Sequence, residues 1–246
     1  MKILLINPPY LTPDRYGKNL AQFGPTTEPL GLAYVAAALE KEGYAVKILD
    51  AAAEGFHQEN ISRIIRQDRY DIIGITMLTP MFKCSIETVK TAKQAASGVK
   101  IVVGGVHPTV LPRETLKDNP QIDFVVIGEG EITMVELIKA LENNGDLKKI
   151  AGIGFRTNED IVINYIPPLI KDIDNIPFPA RHLLPMERYK MTASRSRKKR
   201  CYTIIVARGC PFRCTYCSHP FGMTLRCHSV ERILDELKLL ITNYGA

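Results

Sequence analysis

Through the first 145 positions, short runs of consecutive apolar residues alternate with longer stretches whose apolar positions recur at helical spacing. The runs are KILLIN (2–7), AVKILDA (45–51), DIIGITML (71–78), KIVVGG (100–105) and DFVVIGEG (123–130). None alternates apolar with polar. Strands buried on both faces read this way, and such strands lie parallel beneath covering helices. The stretches between them, 28–44, 59–70, 83–96 and 131–145, predict helices, the first and last closed by Gly43 and Gly145. Five βα units with short connections predict a doubly wound α/β fold, a parallel five-stranded sheet in the order 2-1-3-4-5.

Beyond residue 145 the pattern changes. IAGIGFRTNEDIVINYIPP predicts a small hairpin turning at Asn158–Asp160, and the proline-rich 165–200 reads as a linker. CYTIIVA (201–207) predicts a new buried strand, and 229–245 an amphipathic helix with Ser229 as N-cap. The expected organisation is 1–145, a ligand-binding domain; 146–200, hairpin and linker; and 201–246, the first βα unit of a barrel. The further barrel units are not in the sequence, so the chain reads as truncated and 201–246 is expected to be open to protease.

Composition narrows the class. Apolar residues make up 46% and charged residues 24% of 246, a globular balance. No apolar run reaches the length of a membrane span, and no signal peptide opens the chain, so a cytoplasmic location is expected. The net charge is +6, of which RSRKKR at 195–200 supplies five, leaving +1 for the remainder. That distribution does not describe a nucleic-acid-coating protein. In a reducing compartment, the clustered ones among the six cysteines point to metal binding rather than disulfides. Cys84, Cys201 and Cys227 are scattered and read as incidental thiols.

Two places carry candidate chemistry. In an open parallel sheet, ligands sit beyond the carboxyl ends of the strands. Here those ends run into NPPY, TMLTP, GGVHPT and GEGE. Gly104, Gly105, Gly128 and Gly130 let the backbone approach a ligand and leave amides free to donate. Neither a dinucleotide fingerprint nor a P-loop is present. The other place is VARGCPFRCTYCSHP, with Cys210, Cys214 and Cys217 spaced C-x3-C-x2-C. A structural zinc site takes four protein ligands, and His219 or His228 would have to complete it. A 4Fe-4S cluster held by three thiolates instead leaves one iron open for a substrate.

The segments INPP, EPLGLAYVAAALEKEGYAVKILD, DIIGIT, GGVHPT and VIGEGE, in that order, resemble the cobalamin-binding, flavodoxin-like domain of the B12-dependent radical SAM enzymes. RGCPFRCTYCS resembles the cluster motif of the radical SAM superfamily. The resemblance implies that Thr76, Leu78, Thr79, Gly104, Gly105, His107, Gly128, Glu129 and Gly130 line a cobalamin site. In that family the corrin lies across this sheet edge and its nucleotide tail enters the sheet. It also implies that Cys210, Cys214 and Cys217 hold a 4Fe-4S cluster whose free iron binds S-adenosylmethionine, with Tyr216 against the adenine; loop packing is the rival role for Tyr216. Cobalamin domains of the methionine-synthase type carry a cobalt-ligating His after strand 1. Residues 7–10 have none, so cobalamin without a protein imidazole is expected, and His107 reads as a hydrogen-bonding residue.

The family implies reductive cleavage of S-adenosylmethionine for radical methylation, cyclisation or related chemistry. The implied partners are a small-molecule, lipid or tetrapyrrole-like substrate and a reductant such as flavodoxin or ferredoxin. Two other readings stay open: a non-catalytic cobalamin carrier with a vestigial cluster loop, and a zinc-bearing regulator whose basic run meets nucleic acid.

Overall fold

The computed structural model describes residues 1–11, 24–158, 160–166, 169–191 and 201–246, with 13, 15, 17 and 19 besides. The basic run at 195–200 and the middle residue of the expected 158–160 turn lie outside the described residues.

Five parallel strands form as the apolar runs predict: β1 (Lys2–Asn7), β2 (Ala45–Asp50), β3 (Ile72–Thr76), β4 (Lys100–Gly104) and β5 (Phe124–Val126). Their order is 2-1-3-4-5, with Leu4 beside Ile73 and Val102 beside Phe124. Successive side chains go to opposite faces. Leu4, Ile6, Ile73, Ile75, Ile101 and Val103 pack against α3 (Gln58–Gln67), α4 (Phe82–Ala95) and α6 (Pro112–Asp118). Ile3, Leu5, Ile72, Val102 and Val126 pack against α1 (Leu30–Lys41) and α7 (Gly130–Glu142). Burial on both sides is why these runs carry no alternation. Three short helices were not anticipated: α2 (Ala51–Glu54), α5 (Val106–Val110) and α6. Each is too short to show a helical period.

The hairpin continues the same sheet. β6 (Ile153–Arg156) runs antiparallel to β5, and β7 (Ile161–Ile163) antiparallel to β6, giving seven strands. Residues 169–191, read as linker, form a packed strap of 3-10 turns, with Ile173, Ile176, Ala180, Met186 and Tyr189 buried. The Ala180 amide donates to the Ala33 carbonyl of α1 at 3.0 Å. The Tyr189 hydroxyl donates to the buried Asp50 at 2.8 Å.

The segment 201–207 corrects an expectation. It is not a buried strand: residues 201–206 have no regular structure, and only β8 (Ala207–Arg208) pairs, antiparallel to β9 (Arg226–Cys227). A strand needs strands beside it to take its backbone groups. Here side chains take those of Thr203. Glu28 accepts from the Thr203 amide at 3.2 Å, and Arg181 donates to the Thr203 carbonyl at 2.6 Å. The helix at the end forms as expected, α8 (Val230–Tyr244), with Ser229 Oγ accepting from the Arg232 amide at 3.2 Å. Its inward face carries Glu236 and Leu240. Its outward face exposes Val230, Leu234, Leu237 and Ile241, an apolar stripe at helical spacing.

Candidate functional site

Over the carboxyl ends of β3, β4 and β5, between α1 and α7, lies a cavity of about 430 Å³. Its floor is aliphatic: Leu5, Ile75, Val102, Val126 and Met134. Gly74 in β3 leaves room for Leu5, whose Cδ2 would stand 2.6 Å from a Cβ added there. Its rim is glycine. At Gly31 and Gly128 a Cβ would meet no atom within 4 Å, so both open onto free space that a bound group can fill. Gly105 has φ +109, and a Cβ on it would lie 2.8 Å from the Met77 carbonyl oxygen, so the turn after β4 closes only with glycine.

Thr76, Gly104, Gly105, Gly128, Glu129 and Gly130 line this cavity. Leu78, Thr79 and His107 stand apart from the lining, on the neighbouring loop and α5. There Thr79 Oγ1 lies 3.2 Å from His107 Nδ1, and the His107 ring tilts against Phe82 at 4.6 Å. Burial holds the His107 pKa below its ordinary value, which favours the neutral imidazole. At the end of β1, Asn7 is engaged structurally, donating to Asp50 Oδ1 at 2.7 Å.

The cavity has a second wall from the distal part of the chain: Ile205, Ala207, Arg208, Gly209 and Phe221. Cys210 follows directly. Gly209 has φ +85 and packs so closely on the Thr224 carbonyl that a Cβ would sit 2.1 Å from its oxygen. The Cys210 amide donates to the Gly222 carbonyl at 3.2 Å, and the Cys217 amide to the Cys214 carbonyl at 3.1 Å. Cys210, Cys214 and Cys217 are free and exposed. Tyr216 is 92% exposed, so its ring packs on little of the loop.

The zinc reading needs His219 or His228 beside these thiols. His228 is buried, its Nδ1 2.7 Å from Asp174 Oδ1. His219 Nε2 lies at the Phe212 carbonyl. Among the described residues, no three His, Cys, Asp or Glu side chains gather closely enough for a single metal ion. The three thiols stand on an exposed loop and are soft donors of the kind that hold iron–sulfur groups. The glycine rim and apolar floor fit a bulky ligand that lies against backbone.

Sequence reasoning missed the charges that join the two walls. Arg208 Nη1 reaches Glu129 Oε1 at 3.2 Å, and its Nη2 reaches Glu131 Oε1 at 2.6 Å. Arg226 Nη1 reaches Glu129 Oε2 at 2.8 Å and the Ile170 carbonyl at 2.7 Å. The Arg208 guanidinium also stacks over the buried Tyr34 ring, 5.1 Å from its centroid. Burial opposes ionisation of Glu129, yet Arg226, the Ile170 amide and Arg208 outweigh it and hold the carboxyl below its ordinary value. Glu131 stood in the GEGE motif and Arg208 beside the cysteine motif. Nothing in the sequence linked positions 77 residues apart.

Residues 17–138 match the family profile of the B12 binding domain. An uncharacterized methyltransferase of Pyrococcus horikoshii is 39% identical over 247 residues, a match covering 100% of this chain and 51% of that protein. The anaerobic magnesium-protoporphyrin IX monomethyl ester cyclase of Cereibacter sphaeroides is 29% identical, covering 100% of this chain and 39% of the cyclase. The chain thus spans about half or less of the length of these curated relatives. Among solved structures, the radical S-adenosylmethionine methyltransferase TsrM from Kitasatospora setae, with cobalamin and a 4Fe-4S cluster bound, shares the fold. Its TM-score is 0.74 at 20% identity, over 99% of this chain and 48% of TsrM. Residues 17–138 thus carry a B12 binding domain.

Proposed function

We propose that this chain is part of a B12-binding radical SAM enzyme, that it binds cobalamin at the glycine-rimmed sheet edge and a 4Fe-4S cluster on Cys210, Cys214 and Cys217, and that it serves radical methylation, cyclisation or related chemistry. One observation carries the reading: the cavity at the sheet edge shares a wall with the residues that lead into Cys210. When bound, these groups supply reductive cleavage of S-adenosylmethionine and a transferable methyl group.

The chain's own residues bind and orient. Gly31, Gly104 and Gly128 bring backbone to the ligand face, and Leu5, Val102 and Met134 exclude water from the floor. Thr79 and His107 stand on the adjoining loop, where they can hydrogen-bond polar groups at the ligand's margin. Gly209 fixes the backbone before Cys210, and Tyr216 offers a free aromatic face to an adenine. The division 1–145, 146–200 and 201–246 belongs to the same proposal, as do a reducing cytoplasmic setting, a flavodoxin- or ferredoxin-type reductant and a small-molecule, lipid or tetrapyrrole-like substrate. Six free thiols support the reducing setting. No helix among the described residues is long and apolar enough to cross a membrane.

The test is anaerobic titration of the full chain with hydroxocobalamin, followed by the corrin absorption. Wild type is expected to retain the corrin through gel filtration. Gly31→Leu, which fills the cavity without a clash at Cβ, is expected to lose at least tenfold in affinity. Retention of wild-type affinity by Gly31→Leu would remove the cavity from the reading.

A further inference from the structure

We propose that Glu129, Glu131, Arg208 and Arg226 are positioning residues, an ion-pair cluster that sets where the Cys210–Cys217 loop stands over the glycine-rimmed cavity. The inference rests on the reading of the two sites just given and adds what holds them in register.

Glu129 stands at the N-cap position of α7, without a side-chain capping bond, and Glu131 lies in its first turn, where the helix dipole favours carboxylates. Both are buried, as is Arg226, and the Arg208 side chain is 11% exposed. Carboxylates so placed need partners, because desolvation penalises an unpaired charge. The nearer strands supply none of those partners. They come from β8 and β9, the two short strands that frame the cysteine loop.

The geometry is restrictive. Arg208 spreads its two terminal nitrogens over two different carboxylates, and Arg226 takes the remaining oxygen of Glu129. Arg226 also donates to the Ile170 carbonyl, and its Nη2 reaches the Phe221 carbonyl at 3.4 Å, so it ties the strap and the far end of the loop to the same point. Glu129 Oε2 additionally accepts from the Ile170 amide at 3.0 Å. Both oxygens of Glu129 are therefore engaged, which suits a side chain that holds the walls together. Arg208 is followed by Gly209, whose backbone is locked on the Thr224 carbonyl, and then by Cys210. The first thiolate thus sits two residues from the double ion pair, with a stiff turn between them. A flat guanidinium shared by two carboxylates transmits position better than a point charge does.

The experiment uses the full chain in two states. In the apo chain, amide hydrogen exchange is followed at 207–210 and 226–228. In the loaded chain, the broadening of the cob(II)alamin EPR signal by the reduced cluster reports their separation. Arg208→Gln is expected to speed exchange at these amides at least tenfold while 72–76 stay protected, and to change the spin coupling without loss of iron. Arg208→Gln combined with Glu131→Gln is expected to recover part of both effects, because fewer unpaired charges remain. Should Arg208→Gln not fold, Arg208→Lys, which reaches only one carboxylate, is expected to show a smaller change of the same kind. Unchanged exchange and spin coupling in a wild-type-like Arg208→Gln would overturn the inference and leave the cofactor reading standing. Wild type that binds neither cofactor would overturn both.

Discussion

Arg181 Nη1 lies 2.5 Å from Glu236 Oε1, and the two side chains are 1% and 3% exposed. This pair joins the proline-rich strap to α8, and the other terminal nitrogen of Arg181 holds the Thr203 carbonyl. Removing one partner leaves a buried charge uncompensated. Glu236→Gln is expected to cost about 3–5 kcal/mol, read from urea unfolding, whereas Arg181→Met with Glu236→Leu is expected to cost much less. The contacts oppose the expectation of an open 201–246. Limited proteolysis of wild type should cut there more slowly than in Glu236→Gln.

Reconstituted anaerobically, the chain is expected to hold about four irons. Alanine at Cys210, Cys214 or Cys217 should each reduce iron to near background. Cys84 Sγ instead donates to the Met81 carbonyl at 3.0 Å, at the start of α4. Cys84→Ala should keep full iron, and loss of iron there with retention in Cys214→Ala would reverse the ligand assignment.

Gly209→Ala combines a left-handed φ of +85 with a Cβ placed 2.1 Å from a backbone oxygen. Strain of this kind costs on the order of 1–3 kcal/mol and is relieved only by moving backbone. The expected outcome is lower stability together with reduced iron occupancy. Gly31→Ala, with no atom within 4 Å of the new Cβ, should leave both unchanged.

Hydrogen bonding from Ser229, whose amide donates to Asp174 Oδ2 at 3.1 Å, and from His228, whose Nδ1 lies 2.7 Å from Oδ1, holds the Asp174 pKa down to about 2. A carboxyl depressed in the folded state stabilises the fold above its ordinary pKa of about 4, and loses that contribution as pH falls through the folded value. Thermal unfolding of wild type should therefore fall between about pH 4 and 2 more steeply than that of Asp174→Asn. Parallel curves would show that Asp174 contributes nothing to acid sensitivity.

The segment after β1 offers no imidazole, and Asn7 is tied to Asp50. His107 Nδ1 lies at hydrogen-bond distance from Thr79 Oγ1. Cob(II)alamin bound to the full chain should show no superhyperfine splitting from a histidine nitrogen. A splitting that disappears in His107→Ala would make His107 a cobalt ligand.

The sequence by itself determined the parallel sheet. Runs such as DIIGIT and KIVVG suit burial on both faces, and the helical stretches between them supply the crossovers of a parallel sheet; 2-1-3-4-5 is one of the common orders of such sheets and is the one that forms. It also displayed the glycines of the sheet edge and the three clustered thiols, because glycine geometry and thiolate spacing are local properties. Other features depended on neighbours that local pattern does not encode. CYTIIVA has the composition of a buried strand, yet at its centre Thr203 takes its backbone partners from Glu28 and Arg181 rather than from a ladder. The hairpin's place at the sheet edge was set by the free edge of β5. Above all, Glu131 and Arg208 are ordinary surface-type residues until the chain brings them to 2.6 Å in a buried place. A charge tolerates burial only beside its opposite, and which opposite arrives is decided by tertiary structure alone.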